Sequence, residues 1–175
     1  LGVTGVIWLT QQPRPTHVEG ALDLRQFVAD FQSNPNEAQT RLVADFQGSA
    51  VTPEEAVEVL KRRPIFLDRV PKDFQLVSLS LLKMPCCTCP QGVYRTPSGR
   101  IVCIFEHESK VGILADNCPM IDSRCCGRDV KLGEVGGVLL ASWRSNESSI
   151  TAVGLESMEE VIKLIGSFNS NGSQG

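Results

Sequence analysis

The sequence has no cluster of basic residues, no long apolar run and no signal peptide. Its 17 lysine and arginine residues are scattered, and with 20 acidic residues they give a formal net charge of -3. Nucleic-acid-binding domains usually carry a basic patch, so the charge pattern disfavours nucleic acid as a partner. The apolar stretch 1–9 is shorter than the roughly 20 residues that a membrane-spanning helix needs. It has neither the charged n-region nor the cleavage site of a signal peptide.

The sequence also lacks the motifs of common catalytic centres. It contains no phosphate-binding glycine loop, no Ser/His/Asp arrangement and no carboxylate pair in a supporting context. A cysteine nucleophile needs an activating base, yet Cys103 and His107 on one strand would lie roughly 13 Å apart. Segment 86–89 does not match a Cys-x-x-Cys redox motif that opens a helix. We therefore expect that the protein is not an enzyme. A thiol oxidoreductase that uses the cysteines of segment 86–89 ranks third, after the metal-binding domain and the disulfide-stapled module described below.

The composition is that of one globular domain. The 175 residues, 42% of them hydrophobic and 21% charged, are enough for one compact domain with a core. Because the chain does not begin with methionine, we expect a mature or truncated product. We divide it into an apolar stub and linker (1–17), one α+β domain (18–168) and a mobile polar tail (169–175). Within the domain, a helical part (18–70) precedes a cysteine-rich sheet part (71–168).

Three segments of the helical part show the pattern of amphipathic helices. Apolar residues recur at helical spacing over 22–32, which predicts the first helix. The second is predicted to begin at Pro35, with Asn34 as its cap. Thr52 and Glu55 form the capping box of the third.

From residue 74 the spacing of apolar residues changes to two, as in strands. Seven runs follow this pattern: 74–82, 92–95, 100–106, 111–114, 130–132, 138–143 and 150–153. Turn residues at 96–99 and 144–147 are typical of hairpins, so the sheet should be mainly antiparallel.

A closing helix is predicted after the sheet. Ser157 and Glu160 have the spacing of a capping box, and apolar residues at helical spacing follow. We expect Val161, Ile162 and Ile165 to be buried. The predicted fold class is therefore α+β, a mainly antiparallel sheet with N-terminal helices and a C-terminal helix packed on it.

The strongest functional signal is the cysteine content. All seven cysteines fall between residues 86 and 126: Cys86, Cys87, Cys89, Cys103, Cys118, Cys125 and Cys126. An odd number of thiols cannot all form disulfides within one chain. Glycine and proline beside the thiols let several sulfurs converge on one ion, and thiolate is a ligand that both zinc and Cu(I) accept. We therefore predict a metal site for zinc or Cu(I).

The predicted ligands come from two loops and one histidine. Neighbouring residues of an extended chain point to opposite faces, so each Cys-Cys pair should turn one thiol towards the site. The leading ligands are Cys87, Cys89, Cys118 and Cys126, followed by His107, Cys86 and Cys125. Strand parity places His107 at the same end of the sheet as loop 86–89, although a solvated histidine is an equal alternative. The same parity puts loop 118–126 at the opposite end of the sheet from loop 86–89 if 111–114 is a full strand. Loop 118–126 is long enough to fold back, however, so we keep both cysteine groups in one predicted site.

Two other states of the thiols remain open. Disulfides from the first loop to the second would staple an extracytoplasmic interaction module without metal. Cys103 is expected to be a buried, inert thiol, because it lies in the middle of a strand between Val102 and Ile104.

From Asp73 onward, the sequence resembles the extracytoplasmic C-terminal region of membrane-anchored anti-sigma factors. The matching phrases are Val93-Tyr94-Arg95, Arg100 to Phe105, Leu140 to Arg144, Ile150 to Gly154 and Glu159-Glu160-Val161. A cysteine-rich branch of these domains joins a Cys-Cys-x-Cys loop, a Phe-Glu-His strand end and a Cys-Cys-Gly loop. Its pattern matches Cys86, Cys87, Cys89, His107, Cys125, Cys126 and Gly127, and leaves Cys103 outside.

The resemblance implies a sensor and not a catalyst. It implies a metal-binding sensory or regulatory ectodomain that is membrane-anchored and extracytoplasmic, with 1–9 as the outer end of the anchor. The cytoplasmic part that grips a sigma factor in that family is not among these residues. The expected partners are therefore a metal ion and the membrane, and the protein partner stays unknown.

Overall fold

The computed structural model describes residues 22–85, 87–108, 118–145 and 148–169. The predicted stub, Cys86, the predicted strand 111–114 and nearly all of the tail lie outside the described residues. Within the described ranges, no helix combines the length and the apolar composition needed to cross a membrane. The helices are α1 Leu24–Ser33, α2 Pro35–Asp45, α3 Pro53–Leu60, α4 Phe66–Arg69 and α5 Met158–Ser167.

The predicted N-terminal helices are confirmed, and each begins at a side-chain cap. The Asp23 carboxylate accepts a hydrogen bond from the Gln26 N–H of α1 at 3.1 Å. Asn34 caps α2, and Pro35 is its first residue. The capping box of Thr52 and Glu55 is complete in both directions at the start of α3.

Among the described residues, eight strands form one sheet, and every ladder between them is antiparallel. The strands are β1 Ser49–Ala50, β2 Gln75–Lys83, β3 Thr88–Arg95, β4 Ile101–Glu108, β5 Met120–Cys125, β6 Arg128–Val135, β7 Val138–Ser145 and β8 Ser148–Leu155. They are arranged in the order β1-β2-β3-β4-β8-β7-β6-β5. The α+β class with a mainly antiparallel sheet is therefore confirmed.

The segment predicted as a loop between Cys118 and Cys126 is in fact an edge strand, β5. It pairs with β6 from Met120 to Cys125. The prediction was wrong because most of its residues are polar and not deeply buried, so the apolar alternation of a buried strand is absent. The turn that follows has positive φ angles at Cys126 (52°) and Gly127 (78°), as in the tight turns that favour hairpins.

Side chains on the two faces of the sheet pack into separate cores. On one face, which we call the α1/α2 face, strand residues such as Phe105 and Val153 pack with Phe27 and Leu42. On the other, the α5 face, the core contains Trp143 and residues from α3, α4 and α5. The alternation of strand side chains assigns Cys89 and Cys103 to the α1/α2 face and Cys125 to the α5 face.

Helix α5 buries a narrower stripe than predicted. Val161 and Ile165 are fully buried, as expected, and Leu164 is buried with them. The prediction for Ile162 was wrong, because this side chain is 50% exposed. It follows Val161 by one residue, about 100° around the helix, and so falls beside the buried stripe.

Candidate functional site

The first cysteine group lies on the hairpin between β2 and β3. Reciprocal backbone hydrogen bonds close the hairpin, from Met84 N–H to the Cys87 carbonyl at 3.1 Å and from Cys87 N–H to the Met84 carbonyl at 3.2 Å. Cys87 is half-buried against the core of the α1/α2 face, and Cys89 is fully buried within that core. Cys87 and Cys89 therefore lie on the same face, as expected for residues two apart. Cys86 lies outside the described residues.

His107 lies on the same face and at the same end of the sheet as Cys89. The register of β3 and β4 pairs Gln91 with Phe105. This is the last pair of the ladder, and Cys89 and His107 each lie two residues beyond it on the same face. Continued over those two residues, the same register would set Cys89 level with His107, and level neighbours on one face have Cβ atoms about 5 Å apart. His107 is 1% exposed, so it is not a solvated histidine.

The orientation of His107 is fixed from the opposite face by its neighbour Glu106. The Glu106 carboxylate is buried and forms an ion pair with Arg62. It also accepts hydrogen bonds from the Ile65 N–H at 2.7 Å and from the Ser148 hydroxyl at 3.0 Å. Because adjacent strand residues point to opposite faces, these bonds hold the His107 side chain towards the α1/α2 face.

Cys103 is buried in the middle of β4 and is contacted by a glutamine that the sequence does not single out. Gln39 of α2 donates a hydrogen bond to the Cys103 sulfur, and Gln91 donates to the Gln39 carbonyl oxygen at 2.7 Å. Burial raises the pKa of Cys103 well above its ordinary value. This thiol is therefore protonated at neutral pH, which agrees with the prediction that it is inert. A lone glutamine on a helix and another on a strand give no sequence signal that could have revealed this contact.

Cys118 lies on the α1/α2 face but at the far end of the sheet. It precedes β5, whose first residue, Met120, pairs with Gly133 near the end of β6. His107 is instead level with Ser149, at the beginning of β8. Burial raises the pKa of Cys118, and the negative charge of Asp23 adds to this effect.

Cys125 and Cys126 lie on the other side of the sheet, beside α5. Cys125 is part of the core of the α5 face, and Cys126 is exposed. Their sulfur atoms are 3.5 Å apart, and the Cys126 thiol also lies 3.6 Å from the Ile162 carbonyl oxygen. Burial and the contact with Cys126 raise the pKa of Cys125 to about 11. The expected divergence of two neighbouring thiols fails here, because Cys126 has left-handed and not extended backbone.

The described residues do not bring the two cysteine groups together. Cys89 and His107 are on one face, the pair at 125 and 126 is on the other, and Cys118 is at the far end. In the part of the chain that the structure describes, no group of three or more His, Cys, Asp or Glu side chains is placed to hold a metal ion. The same separation gives no support to disulfides between the two groups, which require Cα atoms about 4.4–6.8 Å apart.

Comparison with known proteins gives no relative from which a function could be transferred. The resemblance to anti-sigma factors therefore remains a hypothesis. The chain matches no protein-family model, and no curated protein or solved structure matches it significantly.

Proposed function

We propose that this chain is a sensory or regulatory domain that binds zinc or Cu(I) through Cys89 and His107. The single observation that carries the proposal is that these two residues lie on the same face of the sheet, each two residues beyond the last β3–β4 pair, Gln91–Phe105, with Cys87 two residues before Cys89. Thiolate and imidazole are the side chains that zinc prefers, and thiolate also suits Cu(I). Cys86, adjacent in sequence, would supply a further thiolate.

The donor set fits such an ion by its chemistry and by its support. Hairpin β2–β3 and strand β4 are held in register by backbone hydrogen bonds, and Glu106 fixes the strand on which His107 lies. Cys87 is half-buried, so one thiol of the proposed site is partly exposed to solvent, whereas Cys89 is buried. A bound ion would crosslink the hairpin to β4. Because the ligands bind as thiolate and neutral imidazole, metal affinity should fall as the pH is lowered.

The regulatory role and the location are further parts of the proposal. They rest on the resemblance to the extracytoplasmic domain of membrane-anchored anti-sigma factors. In this proposal the N-terminal helices and α5, packed on the two faces, form the scaffold that the ion stabilises. A change in metal occupancy would then alter the stability of the hairpin end and be sensed by a partner protein.

The test is metal content in a background that removes the other cysteine pair, Cys125→Ser with Cys126→Ser. The purified protein is titrated with zinc or with Cu(I) under reducing conditions, desalted and submitted to elemental analysis, with a thiol count after denaturation. We expect one ion per chain and titratable thiols. Cys89→Ser or His107→Ala should lose the ion.

Cys103→Ser is the matched control, because Cys103 is a buried thiol on the same face of β4 as His107. It should keep the ion, and circular dichroism should show that all variants remain folded. Equal metal content in the three variants would exclude the proposed ligands. Absence of metal together with few titratable thiols would favour the disulfide-stapled module, and turnover of thiols by peroxide would favour the oxidoreductase.

A further inference from the structure

The pair Cys125–Cys126 forms a second thiol site that is separate from the one proposed above. It lies on the opposite face of the sheet, at the turn between β5 and β6. Its two sulfur atoms are 3.5 Å apart. The short distance arises because Cys126 has a φ of 52°, which turns its side chain back towards Cys125.

This geometry disfavours a disulfide within the pair. Cα atoms joined by a trans peptide are about 3.8 Å apart. Disulfides usually join Cα atoms about 4.4–6.8 Å apart, and departures from this range store strain. Two reduced thiols are therefore the relaxed state of the turn.

The same geometry suits chelation of one soft atom by both sulfurs. Two thiolates bound at about 2.3 Å with a tetrahedral angle, as in zinc sites, have sulfurs about 3.8 Å apart. The observed sulfur–sulfur distance of 3.5 Å is only slightly shorter than this. It fits still better a central atom whose bonds to the two sulfurs make an angle closer to 90°. Trivalent arsenic is such a centre, whereas an ion that prefers two ligands in a line would force the sulfurs apart.

The surroundings leave one thiol of this pair exposed and hold the turn in place. Cys126 is exposed, and a Cβ added at the neighbouring Gly127 would meet no atom within 4 Å. On the inner side, Cys125 is buried against the α5 face. The Asn169 side-chain amide donates to the Cys126 carbonyl, and Arg128 donates to the Phe168 carbonyl at 3.1 Å, so the turn is tied to the end of α5.

We propose that Cys125 and Cys126 form a vicinal-dithiol site for a thiophilic centre that binds two thiolates at a narrow angle, with monosubstituted trivalent arsenicals as the ligand class. With phenylarsine oxide, two As–S bonds form and the arsenic–oxygen bond breaks. The two thiol protons leave with the oxygen as water. Arsenic remains trivalent, so the capture needs no oxidant or reductant.

The experiment uses the full chain carrying Cys86→Ser and Cys87→Ser, so that the only other adjacent cysteines cannot capture the probe. Phenylarsine oxide is added to the folded, reduced protein, and the product is examined by native mass spectrometry. We expect one phenylarsenic adduct per chain, with loss of water. An added small dithiol should reverse it, whereas a monothiol at the same concentration should not.

Removal of either thiol should abolish the adduct. Cys126→Ser is the primary variant because its side chain is exposed, so the substitution should leave the fold intact. Cys118→Ser is the matched control and should keep the adduct in full. An adduct that persists in Cys126→Ser, or no adduct in the parent, would overturn the proposal. Because the background lacks Cys86 and Cys87, neither result depends on the metal site at Cys89 and His107.

Discussion

The buried carboxylate of Glu106 is paired with the guanidinium of Arg62, which reaches it from the connection between α3 and α4. The backbone N–H of Ile65 and the hydroxyl of Ser148 complete its shell. A buried charge is costly unless it is paired and hydrogen-bonded. This one carboxylate therefore joins the helical connection, β4 and β8 at the end of the sheet where His107 lies.

Arg62→Ala should destabilise the protein, because the Glu106 charge then loses its cation. We expect the free energy of unfolding to fall by about 2 kcal/mol, less than for a fully buried pair, since Arg62 is 38% exposed. Arg63→Ala is the control, because its partner Asp68 is exposed and the pair should contribute less than about 1 kcal/mol. Urea denaturation measures both. Equal losses would show that the Glu106 pair is no more important than a surface ion pair.

Substitutions in α5 should depend on which side of the helix they fall. Ile165→Ala removes a fully buried side chain and should cost about 2–5 kcal/mol. Ile162→Ala, on the same helix but half exposed, should stay within about 0.5 kcal/mol. The two midpoints of urea denaturation give the comparison. A reversed order would mean that α5 packs with a different face.

Gly154 should tolerate alanine less well than Gly99. Both have positive φ, 99° and 84°, so both substitutions incur a backbone cost of about 1–2 kcal/mol. A Cβ at Gly154 would also lie 2.6 Å from the Ile101 carbonyl oxygen, whereas at Gly99 it would meet nothing within 4 Å. Crowding should add about 1–3 kcal/mol at Gly154. Thermal unfolding that ranks the two variants equally would exclude this steric clash.

Stability should decline at alkaline pH, partly through Cys103. The folded-state pKa of Cys103 is raised above its ordinary value of 9.0, so the folded state holds this proton more tightly than the unfolded state. The contribution to stability is complete below pH 9 and is lost as the pH rises further. The free energy of unfolding should fall about 1.4 kcal/mol per pH unit more steeply in the wild type than in Cys103→Ala. Denaturation under reducing conditions at pH 8 to 10.5 would refute this if the two slopes were parallel.

The elements that could be predicted from the sequence are those whose boundaries are set by interactions within a few residues. Asn34, Pro35, Thr52 and Glu55 mark helix starts by hydrogen bonds within a few residues, and all of them act as predicted. Strand β5 could not be predicted in this way, because an edge strand does not need apolar alternation. Ile162 was misplaced because only tertiary contacts decide how wide the buried stripe of α5 is.

The candidate site was only partly accessible from sequence. Strand parity depends only on neighbouring strands, and it correctly predicts that Cys89 and His107 lie at the same end of the sheet. The relation of Cys89 to Cys125 depends on the strand order, which places β5 at the far edge and Cys125 on the other face. Sequence spacing cannot contain that information. The left-handed turn at Cys126 did have a signal, since a glycine follows the cysteine pair directly.

The strand order has a consequence for how the molecule could be divided. In the part of the sheet that the structure describes, β1–β4 pair among themselves and β5–β8 pair among themselves, and the ladder between β4 and β8 joins the two sets. A break in the chain between residues 108 and 118 would thus leave two polypeptides, each with its own hairpins complete. Their reassembly would require one six-residue ladder, Cys103–Glu108 against Ser148–Val153, and the burial of both faces. The fold is therefore a natural candidate for a split protein whose halves recover the native sheet by association, at a rate set by their concentration.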